Sequence, residues 1–286
     1  MRYHIGLGFI LVSVLLLGSI FFSTVAVALP QAEEANVITA SALKVQIDAE
    51  PLLSAKAYAV FDVQTGEILW GKETALVLPI ASVTKLVTAA VLEESFLSAA
   101  TTTIKISDVE TEGESGKLQV SEIYTYHDLL FPLLLESSND AATALNSATL
   151  GQLLVKMTEQ TSLLGAENTV LADTSGLSDQ NVSTVDDLVL ITTALYRDHP
   201  HIFDISTINQ YIGPYTGWLN NNPVHNMNGY RGGKHGYTTS ARRTLVAVFD
   251  EEVKGETHTL GYVILGSDNL VSDVELLRSF VTNSAS

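Results

Sequence analysis

The sequence of residues 78–89 is Leu78-Pro79-Ile80-Ala81-Ser82-Val83-Thr84-Lys85-Leu86-Val87-Thr88-Ala89. Its apolar pattern predicts a helix from about residue 81 to 97 that is buried on most sides. Ser82 and Lys85 are three residues apart and therefore share one face of that helix. A serine hydroxyl becomes a nucleophile when a base takes its proton, and a lysine is such a base when burial and positive surroundings lower its pKa. The alternative is a helix-capping serine beside a solvated lysine.

A second polar group lies at the junction of two predicted helices. Its sequence is Glu136-Ser137-Ser138-Asn139-Asp140, between an apolar helix ending at Leu135 and a helix beginning at Ala141. A loop in this position can present Ser137 as a proton relay and Asn139 as a partner for a substrate amide carbonyl. The same residues would also serve as ordinary helix caps.

A third group is a glycine-rich stretch that enters the C-terminal strand region. Its sequence is Arg231-Gly232-Gly233-Lys234-His235-Gly236-Tyr237-Thr238-Thr239. Glycine in an edge strand lets a ligand approach the backbone closely. Lys234 would place a cation in the cleft, and the backbone N–H of Tyr237 would serve an oxyanion hole. His235, Thr238 or Thr239 would bind a carboxylate. The alternative is a glycine-rich hairpin with a solvated lysine.

The three groups follow the order S-x-x-K, S-x-N and K-x-G, which is the motif set of class A β-lactamases and penicillin-binding proteins. On these motifs the chain resembles the D-alanyl-D-alanine carboxypeptidase family of low-molecular-mass penicillin-binding proteins, in the β-lactamase/transpeptidase-like superfamily. The resemblance covers about residues 55–281. Further matching segments are Asn139-Asp140-Ala141-Ala142, Thr174-Ser175-Gly176-Leu177, Asn222-Pro223 and Lys234-His235-Gly236-Tyr237-Thr238.

The resemblance implies a serine acyl-enzyme mechanism without a cofactor or a metal. Ser82 attacks the carbonyl between two D-alanines of a peptidoglycan stem peptide, Lys85 accepts its proton, the terminal D-alanine leaves, and water releases the acyl-enzyme. The other site residues implied are Ser137, Asn139, Lys234, His235, Gly236, Tyr237 and Thr238. β-Lactam antibiotics are expected to acylate Ser82, and the resulting acyl-enzyme is expected to be hydrolysed slowly.

Two segments bear on the kind of enzyme within this superfamily. Class A β-lactamases carry an E-x-x-L-N segment whose glutamate drives deacylation, whereas this chain has Asp173-Thr174-Ser175-Gly176-Leu177, which favours a peptidase. The family usually has K-T-G, whose threonine contacts the substrate carboxylate, whereas this chain has Lys234-His235-Gly236. Imidazole can donate a hydrogen bond and, when protonated, adds a charge that suits a carboxylate. We therefore expect activity with altered specificity or a shifted pH optimum.

Three alternatives remain open on the sequence. A D,D-endopeptidase that cuts peptide cross-links would use the same residues with a different cleft shape. A β-lactamase would differ in its rate of deacylation. A non-catalytic penicillin- or peptidoglycan-binding homologue would result if His235 has ended turnover.

Strand patterns occur at both ends of the folded part. Residues 57–63 and 67–70 flank the turn sequence Gln64-Thr65-Gly66 and predict a hairpin. Residues 244–249 and 260–265 predict two further strands, separated by the polar stretch 250–256.

Helical patterns fill the middle of the chain and its end. A helix capped by Ser183 or Thr184 should run to Tyr196, and a final amphipathic helix should cover about residues 272–281. Together these elements predict an α+β fold of the β-lactamase/transpeptidase-like type. We expect an antiparallel sheet built from both chain ends, terminal helices packed on it, and an all-helical lobe of about residues 98–215 inserted between the strands.

The N-terminus predicts export. Arg2 and His4 precede an apolar run over residues 5–29, and Ala26-Val27-Ala28 has the small-x-small form that signal peptidase cleaves. The run is also long enough to span a bilayer, so residues 1–30 are either a signal peptide or an N-terminal membrane anchor. Residues 31–54 would form a tether, and 55–286 a catalytic domain in the periplasm or at the cell surface, secreted or anchored to the cytoplasmic membrane.

Composition excludes several other classes of protein. The formal net charge is −17 and no basic patch occurs, which argues against nucleic-acid binding. Cysteine is absent, so disulfides, thiolate catalysis and cysteine-ligated metals are excluded. His199 and His201 lack the H-E-x-x-H spacing of a metal hydrolase and are expected to be surface or core histidines.

Overall fold

The fold is built around a five-stranded antiparallel sheet in the part of the chain that the computed structural model describes, residues 51–113 and 116–284. The strands are β1 (Ala57–Asp62), β2 (Ile68–Lys72), β3 (Leu78–Pro79), β4 (Thr101–Thr103), β5 (Ile123–Thr125), β6 (Val182–Ser183), β7 (Gln210–Ile212), β8 (Gly217–Leu219), β9 (Tyr230–Thr238), β10 (Arg242–Val253) and β11 (Glu256–Ser267). The helices are α1 (Thr84–Ser95), α2 (Ile106–Val109), α3 (Tyr126–Leu135), α4 (Asn139–Ala148), α5 (Gln152–Leu163), α6 (Val185–Asp198), α7 (Pro200–Thr207) and α8 (Leu270–Ser284). A 3₁₀ turn, Ala81–Val83, precedes α1.

Strands from both chain ends meet in this sheet. Its order is β2-β1-β11-β10-β9, and β1 pairs with β11 so that Ala57 lies opposite Leu265. The expectation of a sheet assembled from distant sequence is confirmed. Strand β9, which carries Lys234, His235 and Gly236, lies at an edge of the sheet, where its outer backbone groups can face a ligand.

The first hairpin forms as its turn sequence predicts. The Asp62 carboxylate accepts the backbone N–H groups of Gln64 and Thr65, both at 2.9 Å. Gly66 closes the turn at φ = 76°, a conformation that glycine adopts without a steric penalty.

The C-terminal strands are longer than the sequence suggested. Strands β10 and β11 have 12 residues each, and their connection is a tight turn at Lys254 and Gly255, both with positive φ. The predicted polar break over residues 250–256 was therefore wrong. Polar side chains are accommodated in the ladder because they pair across it, as Thr259 does by donating to Asp250 at 2.8 Å.

The lobe between β3 and β9 is mostly helical, but the prediction that residues 98–215 are all-helical was wrong. Three short ladders lie in or at the edge of the described part of this region, β3 with β6, β4 with β5 and β7 with β8. Tertiary contacts stabilise the ladder of β7 with β8, since Tyr211 stacks on Phe131 at a centroid distance of 3.4 Å. Trp218 is fully buried and donates its indole N–H to the backbone oxygen of Gly116 at 2.7 Å.

Side chains of the sheet alternate between two hydrophobic cores. Ala59 and Phe61 of β1 face a core shared with α1, α3, α4 and α6. Tyr58 and Val60 face a second core closed by α8, which confirms a C-terminal helix on the sheet. Helix α1 lies inside the first core, and its residues 84–92 are all buried.

The predicted signal peptide or anchor, residues 1–30, lies outside the described residues, as does the predicted tether up to residue 50. The folded part includes Leu53, which packs on the second core, and Ser54. The backbone N–H and hydroxyl of Ser54 donate to the Asp273 carboxylate at 2.8 and 2.7 Å. Among the described residues, none of the helices combines the length and the apolar character needed to cross a bilayer. The end of the predicted tether therefore belongs to the folded unit.

A buried ion pair fixes α8 to the sheet. Arg278 Nε donates to Glu251 Oε1 at 2.6 Å, and the Tyr262 hydroxyl donates to the same carboxylate at 2.9 Å. The Glu251 side chain is 4% exposed, so its charge depends on these partners. The Arg278 guanidinium also lies over the Phe249 ring, 4.1 Å from its centroid.

We predict that Arg278→Met lowers the free energy of unfolding by about 3 kcal/mol, because it leaves the Glu251 carboxylate buried without its cation. The measurement is urea unfolding followed by circular dichroism. Arg242→Met is the matched control, since its ion pair with Asp268 has side chains 48% and 60% exposed and should contribute below about 1 kcal/mol. Equal losses in the two variants would contradict the prediction.

Candidate active site

Ser82 lies in the 3₁₀ turn before α1, where three chain segments approach closely. Ala81 has φ = 49°, a conformation unfavourable for a residue with a side chain, and such strain is common at functional sites. A Cβ atom on Gly236 would lie 2.6 Å from the Ser82 backbone nitrogen, and one on Gly176 would lie 1.9 Å from the Ala81 oxygen. Glycine at these two positions is therefore required by packing against the turn.

Lys85 is fully buried, and its Nζ is surrounded by three acceptors. The distances are 3.0 Å to Ser82 Oγ, 2.9 Å to Asn139 Oδ1 and 2.6 Å to the backbone oxygen of Ser175. The Ser82–Lys85 contact expected from their spacing is present. A solvated lysine beside a capping serine, the alternative interpretation, does not describe this arrangement.

Asn139 and Ser137 come from the start of α4. Asn139 holds its side chain toward Lys85 by donating from Nδ2 to the Glu112 backbone oxygen at 2.7 Å. Ser138 caps α4, its hydroxyl accepting the Ala141 N–H at 3.0 Å. Ser137 adopts φ = 62°. With the backbone of Ser137 in this conformation, the two consecutive serines occupy different places: Ser138 caps α4, and Ser137 lines the cavity.

These residues surround a cavity of about 260 Å³. Its lining residues are Ser82, Gly113, Ser137, Asn139, Gly176, Leu177, Asn221, His235, Gly236, Tyr237 and Thr238. The structure thus brings together parts of all three motifs, from the 3₁₀ turn before α1, the start of α4 and the edge strand β9. Thr239 is exposed and is not part of this wall.

Lys234 differs from its expected position in the cleft. Its side chain is 1% exposed and lies behind the wall, and Nζ donates to the backbone oxygen of His235 at 2.7 Å. Its charge raises the positive potential around the neighbouring imidazole.

His235 is held neutral. Burial lowers the pKa of His235 well below its usual value of 6.5, and the nearby charges of Lys234, Lys85 and Arg243 lower it further. Its Nδ1 atom is buried and has no hydrogen-bond partner among the described residues. The imidazolium suggested by the sequence is thus disfavoured, whereas a neutral ring that donates one hydrogen bond remains compatible with the site.

Sequence reasoning missed several contributors to the site. Gly113 and Asn221 line the cavity but lie in loops without a motif of their own. The Ser175 backbone oxygen contacts Lys85, and a backbone atom leaves no signal in residue type. Two features of the sequence pointed weakly to this part of the cavity wall. Gly176 lies within a segment that matches the family, and the matching pair Asn222-Pro223 follows Asn221.

His199 and His201 lie away from this cavity, at the junction of α6 and α7. His201 contacts the carboxylate of Glu93, and His199 Nε2 lies 3.9 Å from Glu94. The His201 side chain is 49% exposed and the His199 side chain is 15% exposed, which agrees with their expected place at or near the surface.

Comparison with known proteins agrees with this geometry. The profile of a peptidase family described as D-alanyl-D-alanine carboxypeptidase matches residues 44–269. The chain belongs to the D-alanyl-D-alanine carboxypeptidase family. Membership confirms the resemblance found in the motifs and makes the chain a relative of serine peptidases.

Relatives in the D-alanyl-D-alanine carboxypeptidase family carry two names. A D-alanyl-D-alanine endopeptidase of Escherichia coli (strain K12) is 28% identical over 241 residues, which is 80% of this chain and 76% of the relative. A D-alanyl-D-alanine carboxypeptidase of Mycobacterium tuberculosis (strain ATCC 25618 / H37Rv) is 30% identical over 206 residues, 67% of this chain and 69% of the relative. The family is thus shown, and its members are named for both kinds of cleavage.

A solved structure confirms the fold expected for this family. Penicillin-binding protein D2 from Listeria monocytogenes, in its ampicillin-bound form, matches with a TM-score of 0.72 at 24% identity, covering 82% of this chain and 99% of that chain. The α+β, β-lactamase/transpeptidase-like prediction is confirmed.

A buried carboxyl pair lies beneath the S-x-N motif of this family member. Asp140 is 1% exposed and Asp108 of α2 is 0% exposed. Both oxygens of Asp140 lack a hydrogen-bond partner among the described residues. Burial, and then the Asp108 charge, raise the pKa of Asp140 from 3.8 to about 6.

We predict that this carboxyl makes stability fall as the pH rises. Because its folded-state pKa is raised, the protonated form stabilises the fold fully below the unfolded value of 3.8, and this contribution is lost as the pH passes about 6. Asp140→Asn should remove roughly 2–3 kcal/mol of pH dependence between these limits. Urea unfolding over a pH series measures it, with the exposed Asp204→Asn as control. A wild-type and Asp140→Asn difference that is constant with pH would contradict the prediction.

Proposed function

We propose that the chain is a serine-type D-alanyl-D-alanine carboxypeptidase that removes the terminal D-alanine from peptidoglycan stem peptides. The observation that carries the proposal is the 3.0 Å contact between Lys85 Nζ and Ser82 Oγ at the wall of a cavity. Family membership and the surrounding motif residues support the same reaction class.

In the proposed acylation step, Ser82 Oγ forms a bond to the carbonyl carbon of the penultimate D-alanine. The hydroxyl proton passes to Lys85, whose neutral amine acts as the general base. The backbone N–H groups of Ser82 and Tyr237 would stabilise the oxyanion. The C–N bond then breaks, and the leaving amine receives a proton through Ser137.

The remaining motif residues would bind substrate. Asn139 would hold the stem-peptide amide, while His235 and Thr238 line the wall where the terminal carboxylate would lie. Lys234 would favour that carboxylate by its charge from behind the wall. Water then attacks the ester on Ser82 while Lys85 takes one of its protons; the ester C–O bond breaks, the shortened peptide leaves with a free carboxyl group, and Lys85 passes the water proton to Ser82 Oγ.

D,D-endopeptidase action on cross-links is the second candidate. It is favoured by the Escherichia coli relative, which is named an endopeptidase and matches 80% of this chain. Both reactions attack the carbonyl of a D-alanine and need the same nucleophile and base. They differ in the amine that leaves, a free D-alanine or the side chain of a neighbouring stem peptide.

β-Lactams are proposed as covalent inhibitors, because their amide would meet the same Ser82 and the ampicillin-bound relative has this fold. The proposal also includes export, since peptidoglycan lies outside the cytoplasm and residues 5–29 form an apolar run. Cell fractionation tests that location, and a cytoplasmic protein would contradict it. Whether the N-terminal segment is cleaved or anchors the protein in the cytoplasmic membrane is part of the same test.

We predict that a penicillin adds one acyl group to the wild-type protein, detected by intact-mass spectrometry, and that a D-alanyl-D-alanine-terminated peptide yields free D-alanine. Ser82→Ala should lose both, because it removes the nucleophile. Ser279→Ala, an exposed serine on α8, is the matched control and should keep both.

A cross-linked muropeptide dimer in the same assay separates the candidates. Cleavage of the dimer without release of D-alanine would establish the endopeptidase. An adduct without turnover of either substrate would indicate a non-catalytic binding protein, and rapid loss of the adduct would indicate a β-lactamase. No adduct would contradict the proposed function.

We predict that His235→Thr changes the KM for D-alanine-terminated peptides by less than roughly 10-fold, because the threonine hydroxyl replaces the one hydrogen bond that the neutral imidazole can donate to the carboxylate. Above pH 6.5 its pH–rate profile should parallel that of the wild type, since the imidazole is already neutral there. His258→Thr, on β11 away from the cavity, is the control. An inflection above pH 6.5 in the wild type that disappears in His235→Thr would show that this histidine titrates during turnover.

A further inference from the structure

A turn at residues 173–178 supplies one of the contacts to the base of the proposed reaction. The backbone oxygen of Ser175 accepts a hydrogen bond from Lys85 Nζ at 2.6 Å, and Gly176 and Leu177 line the cavity. The position of this backbone carbonyl depends on the conformation of the turn.

The Asp173 carboxylate holds the turn together. Its Oδ1 accepts the N–H of Ser175 at 2.7 Å, the N–H of Gly176 at 2.6 Å and the hydroxyl of Ser175 at 2.9 Å. Its Oδ2 accepts the N–H of Ser178 at 2.7 Å. Hydrogen bonds to an ionised carboxylate are stronger than those between neutral groups, so this side chain sets the direction of the Ser175 carbonyl.

Buried Asn181 connects the turn to the start of α1, the helix that carries Lys85 and follows Ser82. Its Oδ1 accepts the Asp173 N–H at 3.1 Å, and its Nδ2 donates to the Asp173 backbone oxygen at 3.0 Å and to Thr84 Oγ1 at 3.1 Å. Thr84 in turn donates to the Ala81 oxygen at 2.9 Å. The turn is thus tied through Thr84 to Ala81, the residue that precedes Ser82.

The chemistry explains why this direction matters. A neutral lysine amine has two N–H groups and one lone pair, and the lone pair must point at Ser82 Oγ to receive its proton. If the N–H groups donate to Asn139 Oδ1 and the Ser175 oxygen, the third direction, toward Ser82, is left for the lone pair. After transfer, the same two acceptors stabilise the ammonium.

We propose that Asp173 is a positioning residue, which aims the Lys85 lone pair at Ser82 by fixing the Ser175 carbonyl. The inference rests on the proposed function, because it assigns Asp173 a part in that reaction. Asp173 lies outside the cavity wall and touches neither the substrate nor the reacting atoms.

The test is the second-order rate constant for acylation by a fluorescent penicillin over a pH series, measured on the full chain. We expect Asp173→Asn to lower the maximal rate by about 10- to 100-fold, the scale of a small misplacement of a reacting group. The pH of half-maximal rate should move lower, because the Lys85 ammonium is held less well. Asp179→Asn is the matched control, since Asp179 belongs to the same loop but accepts from Ser240, and it should behave as wild type.

Two further variants protect the test against a folding defect. Ser175→Ala removes one donor to Asp173 but keeps the backbone carbonyl, and it should shift the profile in the same direction by a smaller amount. Asp173→Glu retains the carboxylate and should recover part of the rate. Thermal unfolding of each variant gives the folded fraction to which rates are normalised.

The outcomes separate the inference from the proposed function. An acylated wild type with an unchanged rate and profile in Asp173→Asn and Ser175→Ala overturns the inference alone. A lower rate that disappears on normalisation, with the pH of half-maximal rate unchanged, shows a purely structural role and also overturns it. A wild type that is not acylated overturns the proposed function, and the inference with it.

Discussion

Burial of the Lys85 amine is the constraint on which the rest of the site depends. A buried amine needs hydrogen-bond partners, because desolvation without them is unfavourable by several kcal/mol, roughly 2–7 for a neutral polar group. Its three acceptors come from the turn before α1, from the start of α4 and from the 173–178 turn. Satisfying one nitrogen therefore brings three distant parts of the sequence to one point, and the cavity forms where they meet.

Strand β9 can approach the same point because Gly236 has no side chain. Gly236 has the Ser82 backbone and the Thr244 hydroxyl within 3 Å of where a Cβ would lie, and Thr244 is itself held by donating to the Ile80 oxygen at 2.8 Å. The absence of a side chain lets the sheet edge contact the turn that carries Ser82. This explains physically why the third position of the K-x-G motif is glycine, whatever residue occupies the second.

The sequence allowed the local features of the site to be predicted because they depend on short-range geometry. The spacing of Ser82 and Lys85, the hairpin turn at Gly66 and the helix cap at Thr184, which accepts the Asp187 N–H at 3.1 Å, all follow from residues a few positions apart. The motif order then identified the fold by resemblance. What could not be predicted depends on contacts between distant residues.

The errors have the same physical origin. The polar residues 250–256 resembled a loop, but cross-strand pairs keep most of them in β10 and β11. The lobe seemed all-helical, but stacking of Tyr211 on Phe131 stabilises strands too short to show a pattern. Lys234 was expected to place its cation in the cleft, and only the tertiary structure shows that its side chain is buried behind the wall that His235 lines.

The burial of helix α1 determines how the candidate site is disrupted when the protein unfolds. Residues 84–92 are buried without interruption, so the segment that carries Lys85 can open only when the surrounding core opens, and its amide hydrogens should exchange at the rate of global unfolding. Cysteine is absent, so no disulfide limits that opening. If Ser82 is acylated as proposed, the number of acylated sites would be a direct count of folded molecules, and Ser82 would report on conformational stability.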